Sequence, residues 1–218
     1  MKKFIILVPV YNDWKSVFKL LGEIDIEISQ LELEFSALLI NDGSTEEMPN
    51  ITGNYKNFKS INLINMKKNQ GHSRCYATGI KYLSDKQDFD YLIAMDGDGE
   101  DRPEEIKLLI DKILENANTS VVAKRVKRTE GPLFQLLYQL HKIIALIFTG
   151  RNINFGHYSC LTKDDVILLS SKKSLWSNFA GTVKRHVLKL NNIPCIRGRR
   201  YFGPSKMSIF GLVIHSFS

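Results

Sequence analysis

The sequence predicts an α/β fold: a mostly parallel central sheet with helices on both faces. Three observations carry this. Short apolar runs alternate with segments of helical periodicity through the first 125 residues, turn signals separate them, and 218 residues suffice for one large α/β domain. Phe4–Val8 reads as the first strand, and Trp14, Val17, Phe18, Leu21, Ile24 and Ile28 then recur at helical spacing. Phe35–Ile40 is the second strand, closed by the turn signal Asn41-Asp42-Gly43-Ser44. Ile61–Met66 is the third, with a helix expected over 71–83. Tyr91–Met95 is the fourth. Ile106, Leu109, Ile110, Ile113 and Leu114 mark the next helix, and Ser120–Ala123 a fifth strand.

After residue 130 the pattern changes. Leu133 to Phe148 is rich in Leu, Ile, Phe and Tyr but interrupted by Gln135, Gln139, His141 and Lys142. It is too short and too broken to span a bilayer, which leaves a buried core helix or an amphipathic helix in a membrane interface. The segment 205–218 poses the same choice. The N-terminal Met-Lys-Lys-Phe-Ile-Ile-Leu-Val imitates a signal peptide, but Pro9 cuts the apolar run, so a first strand is expected instead.

The net charge of +7 hides an asymmetry: residues 1–118 hold 14 Lys/Arg against 20 Asp/Glu, and residues 119–218 hold 16 against 3. A basic half beside an acidic half points to an anionic partner, such as a phosphate-bearing substrate or a membrane surface. Its basic residues lack the interleaved aromatics of a nucleic-acid surface, so no nucleic-acid partner is expected. Cys75, Cys160 and Cys195 form no CxxC pair, which argues against structural zinc and for a reducing compartment.

The most informative stretch is Asp96-Gly-Asp98-Gly-Glu100-Asp101-Arg-Pro103, at the carboxyl end of the fourth strand. Four carboxylates within six residues repel one another unless a cation sits among them. The carboxyl end of a strand is also where open α/β sheets bind ligands. The competing explanation is an acidic loop in which Asp101 caps the helix that opens at Pro103. Three more loops fall at the carboxyl ends of strands: Val8-Pro9-Val10-Tyr11-Asn12-Asp13, Asn41-Asp42-Gly43-Ser44 and Asn69-Gln70-Gly71-His72. They offer an aromatic ring to face a base, carboxylates to accept from a base or ribose, and a glycine beside which a ligand can approach the backbone.

In this order the four loops resemble family 2 glycosyltransferases of the GT-A fold, through matches to VPxYN, (D/N)DGS, NxGxxxAxxxG and DxD over residues 3–125. Cys75 stands where the family's alanine is usual, and Asn41 where an aspartate is frequent. The resemblance implies inverting transfer of a sugar from a nucleotide-diphosphate donor. Pro9, Tyr11, Asp13, Asp42, Gly71 and Asp96 would hold the nucleotide. Asp96 and Asp98, with Glu100 as a further position, would hold Mg²⁺ or Mn²⁺. In the second half, Arg200-x-x-Gly203-x-Ser205-Lys206-Met207 resembles a segment of polyprenyl-phosphate sugar transferases such as dolichol-phosphate mannose synthase. By that resemblance Phe155–Thr162 is an acceptor loop, and Arg125, Ser159, Arg200 and Lys206 contact the lipid phosphate. Asp98 and Arg125 carry catalysis. The chain is then one GT-A domain, with a donor half over 1–125 and an acceptor and membrane half over 126–218. It would work at the cytoplasmic membrane face, held peripherally or by helices beyond residue 218.

The residues themselves favour the same acceptor. A hydroxyl acceptor needs a general base, yet the second half offers only Glu130, Asp164 and Asp165, and helix capping accounts for that aspartate pair. A phosphate is already a nucleophile at neutral pH. Two alternatives stay open: transfer to a sugar or lipid hydroxyl with Asp164, Asp165 or Asp101 as base, and a non-catalytic nucleotide- or nucleic-acid-binding protein. UDP-glucose, UDP-N-acetylhexosamine and GDP-mannose are all compatible donors. The five histidines show no metal-ligand spacing, and His157 is expected only as a polar contact near the acceptor.

Overall fold

The computed structural model describes residues 1–50, 53–86, 88–125 and 155–203, the side chain of Arg125 excepted. In chain order its elements are β1 (Lys3–Val10), α1 (Trp14–Ile28), β2 (Glu34–Asn41), β3 (Phe58–Asn65), α2 (His72–Lys86) and β4 (Tyr91–Ala94). A 3-10 turn (Pro103–Glu105) leads into α3 (Ile106–Glu115), followed by β5 (Ser120–Arg125), β6 (Phe155–Thr162) and α4 (Lys163–Ser170). A second 3-10 turn (Lys173–Trp176), α5 (Phe179–His186) and β7 (Leu190–Cys195) complete the order.

The strands make one sheet in the order β3-β2-β1-β4-β6-β5-β7. Every pairing is parallel except those of β6, which runs antiparallel between β4 and β5. The period-two alternation of side chains divides the apolar residues between two cores. Phe4, Ile6, Val8 and Val10 of β1 face α1 and α3, packing with Trp14, Val17, Leu21, Ile24, Leu109 and Ile113. Leu7, Leu38, Ile40 and Leu92 face α2, α4 and α5, against Tyr76, Ile80, Val166, Leu169, Phe179 and Val183. Helices on both faces explain why the central strands read as near-continuous apolar runs.

Two parts depart from expectation. Phe155–Thr162, expected as an acceptor loop, is strand β6; Ala94 pairs with Ser159 and Tyr91 with Thr162. Flanked by strands and covered on both faces, β6 lacks the alternation that would have marked it. Strand β3 begins at Phe58 rather than Ile61: it is an edge strand that pairs only with β2, and its polar start bonds that neighbour, Lys59 to Glu34 and Ser60 to Ser36. The expected amphipathic helices over 132–149 and 205–218 lie outside the described residues, as do Glu130 and Lys206. Among the described residues no helix is long and apolar enough to cross a membrane.

The parallel run places the carboxyl ends of β1 to β4 side by side. Val10 is level with Asn41, Asn41 with Asn65, and Leu7 with Ala94. The four loops singled out in the sequence therefore open into one crevice.

Candidate active site

Backbone groups fix the first three loops to one another. Asn12 adopts a left-handed conformation, φ 48°, which Asn tolerates better than most residues. Its Oδ1 accepts from Thr45 N at 2.9 Å and Glu46 N at 3.1 Å, while Asn12 N donates to Ser44 Oγ at 3.0 Å. Asn41 Oδ1 accepts from Ser44 N at 3.0 Å, so the residue standing in for a family aspartate holds its own turn. Gly43 sits at φ 66°, and a Cβ there would lie 2.6 to 2.8 Å from the backbone of Lys68 and Asn69. Only glycine permits that approach.

Asp42 is 4% exposed, and its oxygens accept from Gln70 N at 2.7 Å and Gly71 N at 2.9 Å. It was expected to meet a base or ribose; it sits beneath the crevice and braces the loop that enters α2. Pro9 is buried within β1, and Tyr11 and Asp13 are partly exposed at the crevice.

The acidic loop after β4 is organised from within. Asp101 is 3% exposed and its Oδ2 accepts from Asp96 N at 2.9 Å, while Asp98 Oδ1 accepts from Glu100 N at 3.0 Å. Asp101 is thus not the cap of the following helical turn, where Arg102 holds the N-cap position without a side-chain bond. Asp96 Oδ1 accepts from Tyr76 Oη at 2.9 Å and lies 2.8 Å from His72 Nε2 and 3.7 Å from His157 Nδ1. Burial and then the neighbouring Asp96 hold the Asp98 carboxyl above its ordinary range, against the opposing Arg200. Burial lowers the affinity of His72 for a proton, but the charge and hydrogen bond of Asp96 outweigh it, leaving His72 above its ordinary value.

The segment after β7 folds across this loop. Gly198 N donates to Glu100 O at 2.8 Å and Tyr201 N to Asp98 O at 2.9 Å. Tyr201 Oη bonds Glu23, and Arg197 Nε reaches Glu100 Oε2 at 2.8 Å. Arg200 spans the crevice: Nη2 is 2.6 Å from Asp13 Oδ2 and Nη1 is 2.6 Å from Asp98 Oδ2. A guanidinium fits here because two carboxylates from different loops face each other across a partly dry gap.

The expected residues therefore fall into three groups. Asp13, Asp96, Asp98 and Arg200 come together in the crevice. Asp42 and Glu100 stand beside it, engaged by the backbone at Gln70 and Gly71 and by Arg197 respectively. Ser159 is fully buried in β6 with its Oγ donating to His157 O at 2.8 Å, so its hydroxyl is turned to its own strand. The backbone of Arg125 ends β5, level with Cys195; its side chain and Lys206 lie outside the described residues. The sequence reading missed His72 and Tyr76 around Asp96, and it expected His157 as a polar contact near the acceptor rather than beside Asp96. One signal was available for His72, the residue directly after the crevice glycine Gly71; none marked its contact with His157 of β6.

The donor set suits a divalent ion. Asp96 and Asp98 supply hard carboxylate oxygens, and Arg200 demonstrates that positive charge is accommodated at Asp98. The three candidate bases lie elsewhere. Asp165 occupies the first turn of α4, where its N–H donates to Thr162 Oγ1 at 3.3 Å and its carboxylate accepts from Thr162 Oγ1 at 3.0 Å and from Ser120. Thr162 is level with Tyr91, the first residue of β4, so Asp164 and Asp165 sit at the end of the sheet opposite the crevice. Asp101 is buried beneath its loop.

Comparison with known proteins gives the same picture. The family described as glycosyl transferase family 2 matches residues 5–179. An undecaprenyl-phosphate 4-deoxy-4-formamido-L-arabinose transferase of Erwinia tasmaniensis is 23% identical across 98% of this chain, which covers 65% of that relative. An uncharacterised protein of Methanocaldococcus jannaschii is 26% identical over 72% of the chain and 68% of its own length. Among solved structures, glucosyl-3-phosphoglycerate synthase from Mycobacterium tuberculosis, in complex with Mn²⁺, UDP-glucose and phosphoglyceric acid, superposes with a TM-score of 0.64. It is 11% identical, over 99% of this chain and 76% of that one.

Proposed function

The chain belongs to glycosyl transferase family 2, and from that premise we propose that it moves a sugar from a nucleotide-diphosphate donor to a polyprenyl phosphate, with inversion, at the cytoplasmic membrane face. The observation that carries the choice of acceptor is the position of the carboxylates. Among the described residues, Asp164 and Asp165 lie at the opposite end of the sheet and Asp101 is spent on Asp96 N. With none of these three placed as a base among the described residues, an acceptor that arrives already anionic is favoured, as a phosphate is near neutral pH. The alignment of nearly the whole chain with an undecaprenyl-phosphate sugar transferase supports the same acceptor.

Tyr11 and Asp13 at the crevice mouth receive the nucleotide, over a floor braced by Asp42. Asp96 and Asp98 would hold Mg²⁺ or Mn²⁺, which when bound neutralises charge on the departing diphosphate. An oxygen of the lipid phosphate attacks the anomeric carbon as the bond to the nucleoside diphosphate breaks, and the electron pair leaves with that diphosphate. The sugar passes through an oxocarbenium-like state. Arg200, reaching both Asp13 and Asp98, is placed to follow the charge of either phosphate partner, with Arg125 and Lys206 as further cations for the acceptor. The basic second half supplies attraction to an anionic lipid surface.

The test is nucleoside diphosphate release from a panel of nucleotide sugars with Mn²⁺, with and without a short polyprenyl phosphate. One donor whose turnover depends on the lipid is expected. Turnover that requires a sugar or lipid hydroxyl instead would refute the acceptor, and no metal-dependent donor binding would refute the donor.

A further inference from the structure

We infer that Arg200 is the built-in counter-ion of the crevice. It holds Asp13 and Asp98 together until a divalent cation displaces it from Asp98, and the released guanidinium then turns to phosphate. The inference rests on the donor reading above for this second step alone. Both oxygens of each carboxylate are engaged. Asp98 Oδ1 accepts from Glu100 N at 3.0 Å and Asp98 Oδ2 from Arg200 Nη1 at 2.6 Å. Asp13 Oδ1 accepts from Ser16 Oγ at 2.6 Å and Asp13 Oδ2 from Arg200 Nη2 at 2.6 Å. The side chains of Asp13, Arg200 and Asp98 are only 16%, 19% and 20% exposed, so water screens these contacts weakly.

A cation approaching Asp98 therefore meets Arg200 on one oxygen and the loop's own backbone on the other. Carboxylates hold Mg²⁺ at about 2.0–2.1 Å, closer than Nη1 now stands. Two cations on one carboxylate in a partly dry gap repel each other, so Arg200 and the ion are alternatives. The side-chain bond is the one to yield, because Glu100 is held in its loop from the other side, where its O accepts from Gly198 N at 2.8 Å. Arg200 is also incompletely satisfied: its Nε–H is buried without an acceptor among the described residues, and one charge serves two carboxylates. Its departure leaves the strap that carries it in place. Tyr201 N donates to Asp98 O at 2.9 Å, and the Tyr201 ring lies over Gly99, φ 87°, where a Cβ would come within 2.7–2.8 Å of it. Lys19 Nζ lies 4.4 Å from the centroid of the same ring, and Tyr201 Oη bonds Glu23. With the backbone anchored on both sides, the Arg200 side chain turns alone. A guanidinium released beside a bound cation suits phosphate oxygens, which it meets in two-pronged geometry. Displacing Arg200 weakens binding of the metal alone, while its contact with phosphate makes metal and nucleotide bind better together than apart.

The experiment titrates Mn²⁺ alone into the full chain, followed by the spin-resonance signal of the unbound ion, for wild type, Arg200→Gln, Arg200→Lys, Tyr201→Phe and Asp98→Asn. The series is then repeated with UDP and with GDP. Without nucleotide, Arg200→Gln is expected to bind Mn²⁺ about tenfold more tightly than wild type. Arg200→Lys should fall between them, Tyr201→Phe should match wild type, and Asp98→Asn should lose the site. The factor by which UDP or GDP tightens Mn²⁺ binding should fall about tenfold in Arg200→Gln, which lacks the cation that meets phosphate. In chelator Arg200→Gln should melt below wild type, and Mn²⁺ should raise its melting temperature by more. Equal or weaker binding of Mn²⁺ alone by Arg200→Gln would overturn the inference, as would no Mn²⁺ binding by either protein. An equal gain in Tyr201→Phe would overturn it too, since that marks a loosened strap rather than the charge of Arg200. A gain in Arg200→Gln with Mn²⁺ alone, but no nucleotide binding by any variant, would uphold the displacement and refute the donor reading, and the phosphate step with it.

Discussion

The two ends of this sheet use the same chemical groups in opposite ways. At the amino ends of the parallel strands, carboxylates meet lysines at the surface: Lys2 with Asp90 at 3.0 Å, Lys3 with Asp88 at 2.5 Å and Lys59 with Glu34 at 2.8 Å. Water screens such pairs, so they add little to stability and their members are exchangeable. At the carboxyl ends, Asp42 and Asp101 are almost fully buried and accept from backbone N–H groups. Asp13 and Asp98 share one arginine there, and Asp96 is gripped by His72 and Tyr76. Carboxylates out of water must be partnered, so their number and spacing at this end are informative. An acidic residue is therefore diagnostic only together with its place on the sheet.

The contrast is tested most strongly at Asp98. Asp98→Asn removes a charge from the crevice while keeping its shape, and about a hundredfold or greater loss of donor turnover is expected. Asp90→Asn, a carboxylate change at the other end, should leave turnover near wild type when both are compared by nucleoside diphosphate release. Next is Arg200→Lys: an ammonium cannot present the two-pronged face that now spans Asp13 and Asp98. About a tenfold fall in lipid-dependent transfer is expected, whereas Lys59→Arg should change nothing measurable.

Asn12→Ala should cost about 2 kcal/mol of stability, since its side-chain hydrogen bonds to Thr45 and Glu46 are lost and two backbone N–H groups lose their acceptor. A lower melting temperature and weaker nucleotide binding in the same variant would show that the first two loops act as a unit. The smallest effect is at Asp90. Burial raises its carboxyl's proton affinity, but the backbone N–H of Lys3 and the Lys2 ammonium outweigh that and hold it below its ordinary value. A group lowered on folding contributes stability above its unfolded pKa of about 3.9 and loses it as pH falls through the folded value. Melting curves from pH 6 to pH 3 should therefore show a shallower acid loss in Asp90→Asn, by a few tenths of a kcal/mol after screening.

Legibility followed the same division. Strands β1, β2 and β4 announce themselves as apolar runs bounded by turn signals, and helices α1 and α3 by apolar residues at helical spacing. The four crevice loops were equally visible, since turn and glycine chemistry is local. Strand β6 was hidden because it is an antiparallel insertion with both faces covered, and β7 because Pro194 interrupts it, which an edge strand permits. The roles of Asp42, Asp101 and Arg200 were hidden for another reason. Each is decided by a partner on a different loop: Gln70 and Gly71, Asp96 N, or Asp13 together with Asp98. Sequence spacing carries no trace of such meetings, and the same holds for the approach of His157 to Asp96.

The central claim is that the acceptor brings its own negative charge to a crevice where, among the described residues, Asp164 and Asp165 lie at the far end of the sheet and Asp101 is engaged by Asp96 N. Its most direct test offers the full chain two acceptors that differ only in that charge, a short polyprenyl phosphate and the corresponding polyprenol, with Mn²⁺ and the active nucleotide sugar. The account predicts a lipid-linked sugar phosphate from the first, identified by mass spectrometry, and no glycosylated product from the second. Transfer to the polyprenol at a comparable rate would contradict it.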